Sequence, residues 1–103
     1  MQAKELVRRL KGNDDPLVLD VRMGIEYRGG HIPGALYAPT LRILLRRAGL
    51  PQDRQTPLVV TCEHGPRAKL ACKVLGWLGY RQVELLEGHM AGWRRAGLPL
   101  EKS

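Results

Sequence analysis

The 103-residue chain has few aromatic side chains: three tyrosines, two tryptophans and no phenylalanine. None of the five falls in a pattern that would stack successive bases. The lysines and arginines are scattered rather than clustered, so a net charge of +7 does not by itself describe a nucleic-acid-binding surface. Attraction of small anions is the more economical use of that charge. No apolar run approaches the ~20 residues that a membrane span needs. The first residues, MQAKELVRRLKG, lack the continuous apolar segment of a secretory signal. A cytoplasmic protein without nucleic-acid or membrane partners is therefore expected. Cysteine is also scarce. Cys62 and Cys72 stand ten residues apart, the second inside a helical pattern, and are expected to be separate reduced thiols rather than a disulfide framework. Cys62, His64, Cys72 and a distant histidine lack the spacing of a zinc site, so no metal is expected.

What is present fits one domain spanning residues 1–103. Residues 3–11 place Ala3, Leu6, Val7 and Leu10 on one helical face, with Gly12 as a stop. PLVLDV (16–21), PLVVT (57–61) and QVELL (82–86) read as buried strands, and a shorter strand is expected around Leu36 and Tyr37. TLRILLRRAG (40–49) sets Leu41, Leu44, Leu45 and Ala48 on one face behind a cap-competent Thr40. Residues 67–78 form a helix with Leu70, Ala71, Val74, Leu75 and Leu78 apolar, and HMAGWRRAG closes with a short helix. Trp77 and Trp93 read as core or half-buried packing residues. RRAGLP occurs at 46–51 and again at 94–99. Both copies read as helix stops: arginines in the last turn, glycine just past it, leucine packing back and proline preventing continuation.

Strands alternating with helices imply a parallel sheet covered on both faces, with sites at the carboxyl ends of its strands. Cys62 follows PLVVT and Asp20 ends an apolar strand, so both belong at that rim. Cys62 is then either a small core residue ending a strand or a nucleophile held over a helix N-terminus. The loop CEHGPR (62–67) favours the second: its amides can converge on one point and the following helix adds its positive end. Such settings favour the thiolate, the form that attacks. Gly65 lets the loop curl. Arg67 brings positive charge to a helix start, where the dipole opposes it but an anionic substrate would use it. His64 is either a proton shuttle or an exposed loop residue. Asp20 and Arg22 either shape the mouth of the site or form an ion pair holding neighbouring loops, the second being favoured; His31 reads as a turn residue, and Cys72 as a structural thiol rather than a resolving one.

Three blocks, LDVRMGIEYRGGHIPGA, VVTCEHGPRA and LLEGHMAGWRRAGLPL, in this order and spacing, resemble the rhodanese domain over nearly the whole chain. The resemblance implies an α/β fold with a central five-stranded parallel sheet flanked by helices on both faces. It also implies sulfurtransferase chemistry through a cysteine persulfide. Cys62 matches the catalytic cysteine, while Glu63, His64, Gly65, Pro66 and Arg67 match the rest of the six-residue active-site loop, followed by Ala68. Asp20 and Arg22 match the family's DVR. The chain departs from the pattern at Ala68, where Ser or Thr is common, and at Leu86-Glu87-Gly88-His89, where Leu-x-Gly-Gly is usual. The latter reads as a change in a turn rather than at the nucleophile. Pro66 removes one loop donor and Glu63 adds negative charge. The implied reaction moves sulfur from a small anionic donor such as thiosulfate to a thiol, cyanide or a protein acceptor, with no cofactor. Two alternatives stand beside it. One is a persulfide carrier or interaction module in a sulfur relay. The other is a cysteine phosphatase or arsenate reductase, whose loop has five residues between cysteine and arginine where this chain has four.

Overall fold

The computed structural model describes residues 1–12 and 16–102. Four strands, β1 (Leu17–Asp20), β2 (Leu36–Tyr37), β3 (Leu58–Thr61) and β4 (Val83–Leu85), form one parallel sheet in the order β2-β1-β3-β4. The helices are α1 (Ala3–Lys11), α2 (Gly24–Arg28), α3 (Thr40–Leu44), α4 (Pro66–Trp77) and α5 (His89–Arg95). β1 and β3 lie at the centre in the register Leu19↔Val60 and Asp20↔Thr61, and β3 extends to Val60↔Leu85. Both central strands are apolar at successive positions because both of their faces are covered.

The two-residue period of a strand divides the core. Leu19, Leu58 and Val60 point into a cluster with Ile43, Ala68, Ala71, Val74, Leu75 and Tyr80, under α3 and α4. Val18 and Val59 point the other way, onto Leu6, Ile32, Leu86, Met90 and Trp93, under α1 and α5. Leu6 is fully buried, and Ala3, Val7 and Leu10 flank the same cluster, as the helical spacing predicts. This arrangement brings the carboxyl ends of β1 and β3 to one rim, where α2 and α4 begin.

Four sequence expectations need correction. The sheet has four strands among the described residues, not five; beyond it stands a single antiparallel bridge between His31 and Glu101. Pro33 and Pro99 lie within two residues of that bridge and cannot donate to a longer ladder. Second, α3 buries Ile43 and leaves Leu41, Leu44 and Leu45 exposed. It is too short for a period argument to fix its inner face, and Thr40 is its first residue, behind Pro39, without a side-chain cap. Third, Leu70 is exposed and Trp77 is 78% exposed, while Ala68, Ala71, Val74 and Leu75 supply the inner stripe of α4. Ala68 and Ala71 let the start of the helix approach the sheet, Val74 and Leu75 fill the core further along, and Leu70 and Trp77 fall on the outer face.

Fourth, the two RRAGLP copies are not equivalent. After α5, Gly97 is left-handed (φ 67°), its N–H bonds the Arg94 carbonyl, and the Leu98 N–H bonds that of Trp93. This is the expected glycine stop. After α3 the same pair of bonds forms three residues earlier in the hexapeptide: Arg46 N–H to Ile43 and Arg47 N–H to Arg42. Arg46 itself takes the left-handed position (φ 57°), so this arginine pair lies beyond its helix.

Candidate active site

β3 ends at Thr61 and Cys62 is the next residue, so the strand delivers the cysteine to the rim. The loop then curls through Gly65 at φ 127°, a conformation open to glycine and not to residues with a Cβ. The curl aims the Gly65 N–H at the Cys62 sulfur, 2.9 Å away. Pro66 opens α4, where its missing N–H has no intrahelical partner to lose. Pro66 therefore costs the helix no bond, while the amides that could face an anion at the start of α4 are one fewer, as expected. The Cys62 side chain is fully buried, and Ala68 is buried in the same core cluster. A hydroxyl at position 68 would have to find a partner in that apolar wall.

Asp20, at the end of β1, is buried against Arg22. The Arg22 guanidinium donates to the Asp20 carboxylate through Nε (3.0 Å to Oδ1) and Nη2 (2.8 Å to Oδ2), and Nη2 also reaches the Gly30 carbonyl at 2.8 Å. Its Nη1 lies 3.4 Å from Glu63. Glu63 accepts in addition from Arg94 of α5. The negative charge that the sequence places next to Cys62 is thus shared between two arginines. Asp20, Arg22, Glu63 and Arg94 form one chain of charges linking β1, the loop and α5. His64 is exposed.

Arg67 donates through both terminal nitrogens to Glu26 of α2, at 2.7 and 3.1 Å. Glu26 also accepts the Met23 N–H at the start of α2. The Arg67 hydrogen bonds hold the Glu26 carboxyl down at about 2, and the Glu26 bond pushes the Arg67 guanidinium up, with weaker contributions from Cys62 and Asp20. The charge that the sequence assigns to an anionic substrate is therefore engaged with a partner 41 residues away.

One residue read from the sequence as a turn position stands directly against the nucleophile. His89 Nδ1 accepts the Cys62 backbone N–H at 3.4 Å, and the Met90 N–H donates to the Cys62 carbonyl at 3.0 Å. The Ala91 N–H likewise donates to the Glu63 carbonyl. The opening turn of α5 thus uses its free amides to hold the loop. The only sequence signal of this was a histidine where the family pattern has its second glycine. Burial pushes the His89 imidazole below its ordinary value, and the positive fields of Lys69 and His64 add to the effect.

Two other residues lie outside the site. His31 stacks on Tyr27 with ring centroids 3.8 Å apart and bonds the Tyr27 carbonyl through Nδ1. Cys72 packs against the core and burial pushes its thiol up. Among the described residues, no three His, Cys, Asp or Glu side chains stand together as a metal site. No helix among them is long and apolar enough to cross a membrane.

The rhodanese-like domain family matches residues 2–96. The chain belongs to that family. A sulfurtransferase of Allochromatium vinosum is 36% identical over 100 residues, covering 97% of this chain and 92% of the relative. The thiosulfate sulfurtransferase GlpE of Shewanella oneidensis is 33% identical over 81 residues, covering 77% of this chain and 76% of the relative. Among solved structures, the Alr3790 protein of Anabaena sp. superposes with a TM-score of 0.88 at 29% identity, over 100% of this chain and 82% of that one. Other relatives are longer, and the rhodanese-like domain spans 42% of one and 55% of another.

Proposed function

We propose that this rhodanese-like domain is a sulfurtransferase that carries sulfane sulfur on Cys62. The observation that supports this reading most is the Gly65 N–H aimed at the cysteine sulfur, in a loop whose nucleophile is held at the carboxyl end of β3. In the first step the Cys62 thiolate attacks the outer sulfur of a thiosulfate-like donor. The donor's S–S bond breaks and sulfite leaves with the electron pair, giving a Cys62 persulfide anion. The amide that faces the thiol is positioned for the charge that develops on sulfur. In the second step cyanide or an acceptor thiolate attacks the terminal sulfur and the Cys62 thiolate is regenerated. No net proton is consumed, and no cofactor enters either step.

The buried sulfur needs an opening for its donor, and we assign that role to the partly exposed Glu26–Arg67 pair, whose arginine is near enough to feel the charge of Cys62. An arriving anion competes with Glu26 for the Arg67 guanidinium, draws it away and enters beside it. This explains the use of an arginine at a helix start that opposes the dipole. A protein thiol would be served by the same opening, which makes a sulfur relay the second reading. The four-residue spacing between Cys62 and Arg67 argues against a phosphatase or arsenate reductase. Incubation with thiosulfate and cyanide is expected to give thiocyanate, and Cys62→Ser to abolish it. Hydrolysis of p-nitrophenyl phosphate without thiocyanate formation would reverse the choice.

A further inference from the structure

We infer that His89 is a positioning residue for Cys62, its neutral imidazole fixing the nucleophile's backbone and the glycine that faces the sulfur. The inference rests on the sulfurtransferase reading above and extends it to a residue outside the active-site loop.

Three observations converge on the ring. Its Nδ1 takes the Cys62 N–H, while the Met90 N–H takes the Cys62 carbonyl, so the first two residues of α5 clamp both polar groups flanking the nucleophile's Cα. Its opposite edge lies under Gly65: a Cβ built there would stand 3.2 Å from Nε2 and 3.4 Å from Cδ2. One imidazole therefore supports both the residue that bears the sulfur and the residue that donates to it. Third, His89 is left-handed (φ 49°), a conformation that glycine adopts without strain and a histidine does not. A side chain kept at a strained position, 8% exposed and pressed against both ends of the sulfur cradle, is doing something that glycine would not.

The hydrogen bond fixes the tautomer. If Nδ1 accepts, the ring proton sits on Nε2. Protonation puts a second N–H on Nδ1, facing the Cys62 N–H, and the bond is lost. Around the ring stand Lys69 of α4, His64 of the loop and the Cys62 backbone that bonds it, while the adjoining loop residue Glu63 pairs with Arg94 of α5. Lys69 and His64 oppose protonation, as does burial. Glu63 is tied to Arg22 and Arg94. The ring thus stays neutral at neutral pH, and its support of the loop is withdrawn in acid.

Two variants separate positioning from packing. His89→Gly removes the acceptor and the strut while relieving the backbone. His89→Asn tolerates the left-handed conformation and offers a non-titrating acceptor oxygen near the place of Nδ1. Sulfur transfer from thiosulfate to cyanide is measured for both from about pH 5 to about pH 9, with Cys62→Ser as the zero, and the Cys62 amide resonance of each free protein is followed by NMR over the same range. His89→Gly is expected to transfer sulfur about tenfold more slowly, the equivalent of one hydrogen bond. His89→Asn is expected to recover most of that loss. In the wild type both the rate and the Cys62 amide shift carry a titration step from His89, added to whatever the thiol itself contributes in both proteins; in His89→Asn that added step is absent. A His89→Gly enzyme as fast as wild type, an Asn variant as slow as Gly, or a Cys62 amide indifferent to His89 protonation overturns the inference. If wild type and Cys62→Ser alike make no thiocyanate, the sulfurtransferase reading fails; the amide titration still decides whether His89 holds Cys62.

Discussion

The backbone N–H of Gly65 points at the sulfur of Cys62 from 2.9 Å. This bond depends on a glycine held at φ 127° and on the imidazole of His89 packed beneath it. A small loop can thus aim an amide at sulfur because a residue from another element keeps it curled.

Gly65→Ala tests that dependence. The new Cβ meets His89 Nε2 at 3.2 Å and the backbone must also abandon a conformation that alanine resists. The expected cost is about 2 kcal/mol of stability, from strain of 1–3 kcal/mol at such positions. Sulfur transfer is expected to fall further than stability explains, because relaxation of the loop turns the amide away from sulfur. Urea denaturation and thiocyanate formation on the same preparations check both.

The Glu26–Arg67 pair makes a second test. The Glu26 carboxyl is held down at about 2 in the fold, chiefly by the Arg67 hydrogen bonds, against an ordinary value of 4.5. A lowered carboxylate stabilises the folded form fully above the unfolded value and loses that stabilisation as pH falls through the folded one. The stability difference between wild type and Glu26→Gln is therefore expected to shrink between about pH 4.5 and about pH 2. Both side chains are partly exposed, which limits the effect to about 1 kcal/mol. Freed from Glu26, Arg67 is expected to meet an anionic donor more readily, so Glu26→Gln lowers the KM for thiosulfate. An unchanged or raised KM would show that Arg67 does not leave Glu26 for the donor.

Arg46 carries the left-handed turn after α3 that Gly79 and Gly97 carry after α4 and α5. Arg46→Gly is expected to stabilise the protein by roughly 0.5–1 kcal/mol, because the strain removed exceeds the added freedom of the unfolded chain. Thermal unfolding at neutral pH measures it, and sulfur transfer should not change, since α3 supplies nothing to the loop.

Much of the site was legible in the sequence. Continuous apolar runs marked β1 and β3 as central strands of a parallel sheet. That topology put Cys62 and Asp20 at one rim, and both stand there. Of the two roles open to Asp20 and Arg22, the ion pair is present, and the α5 stop follows its glycine. What escaped the sequence depends on distant pairings. Arg67 meets Glu26 across 41 residues and His89 meets Cys62 across 27, and neither distance leaves a local pattern. His89 was visible only as a break in a glycine pair, which reads as a local turn until α5 is folded against the loop. The inner face of α3 escaped for another reason: five residues span too little of the helical period to define a stripe. Trp77 suggests packing because tryptophan usually packs, but the inner stripe of Ala68, Ala71, Val74 and Leu75 leaves it on the outer face of α4.

Intact-protein mass after exposure to thiosulfate tests the central claim most directly. A gain of one sulfur is expected, about 32 Da for a persulfide, that cyanide removes and that Cys62→Ser never shows. No gain in the wild type, or the same gain in Cys62→Ser, would contradict it.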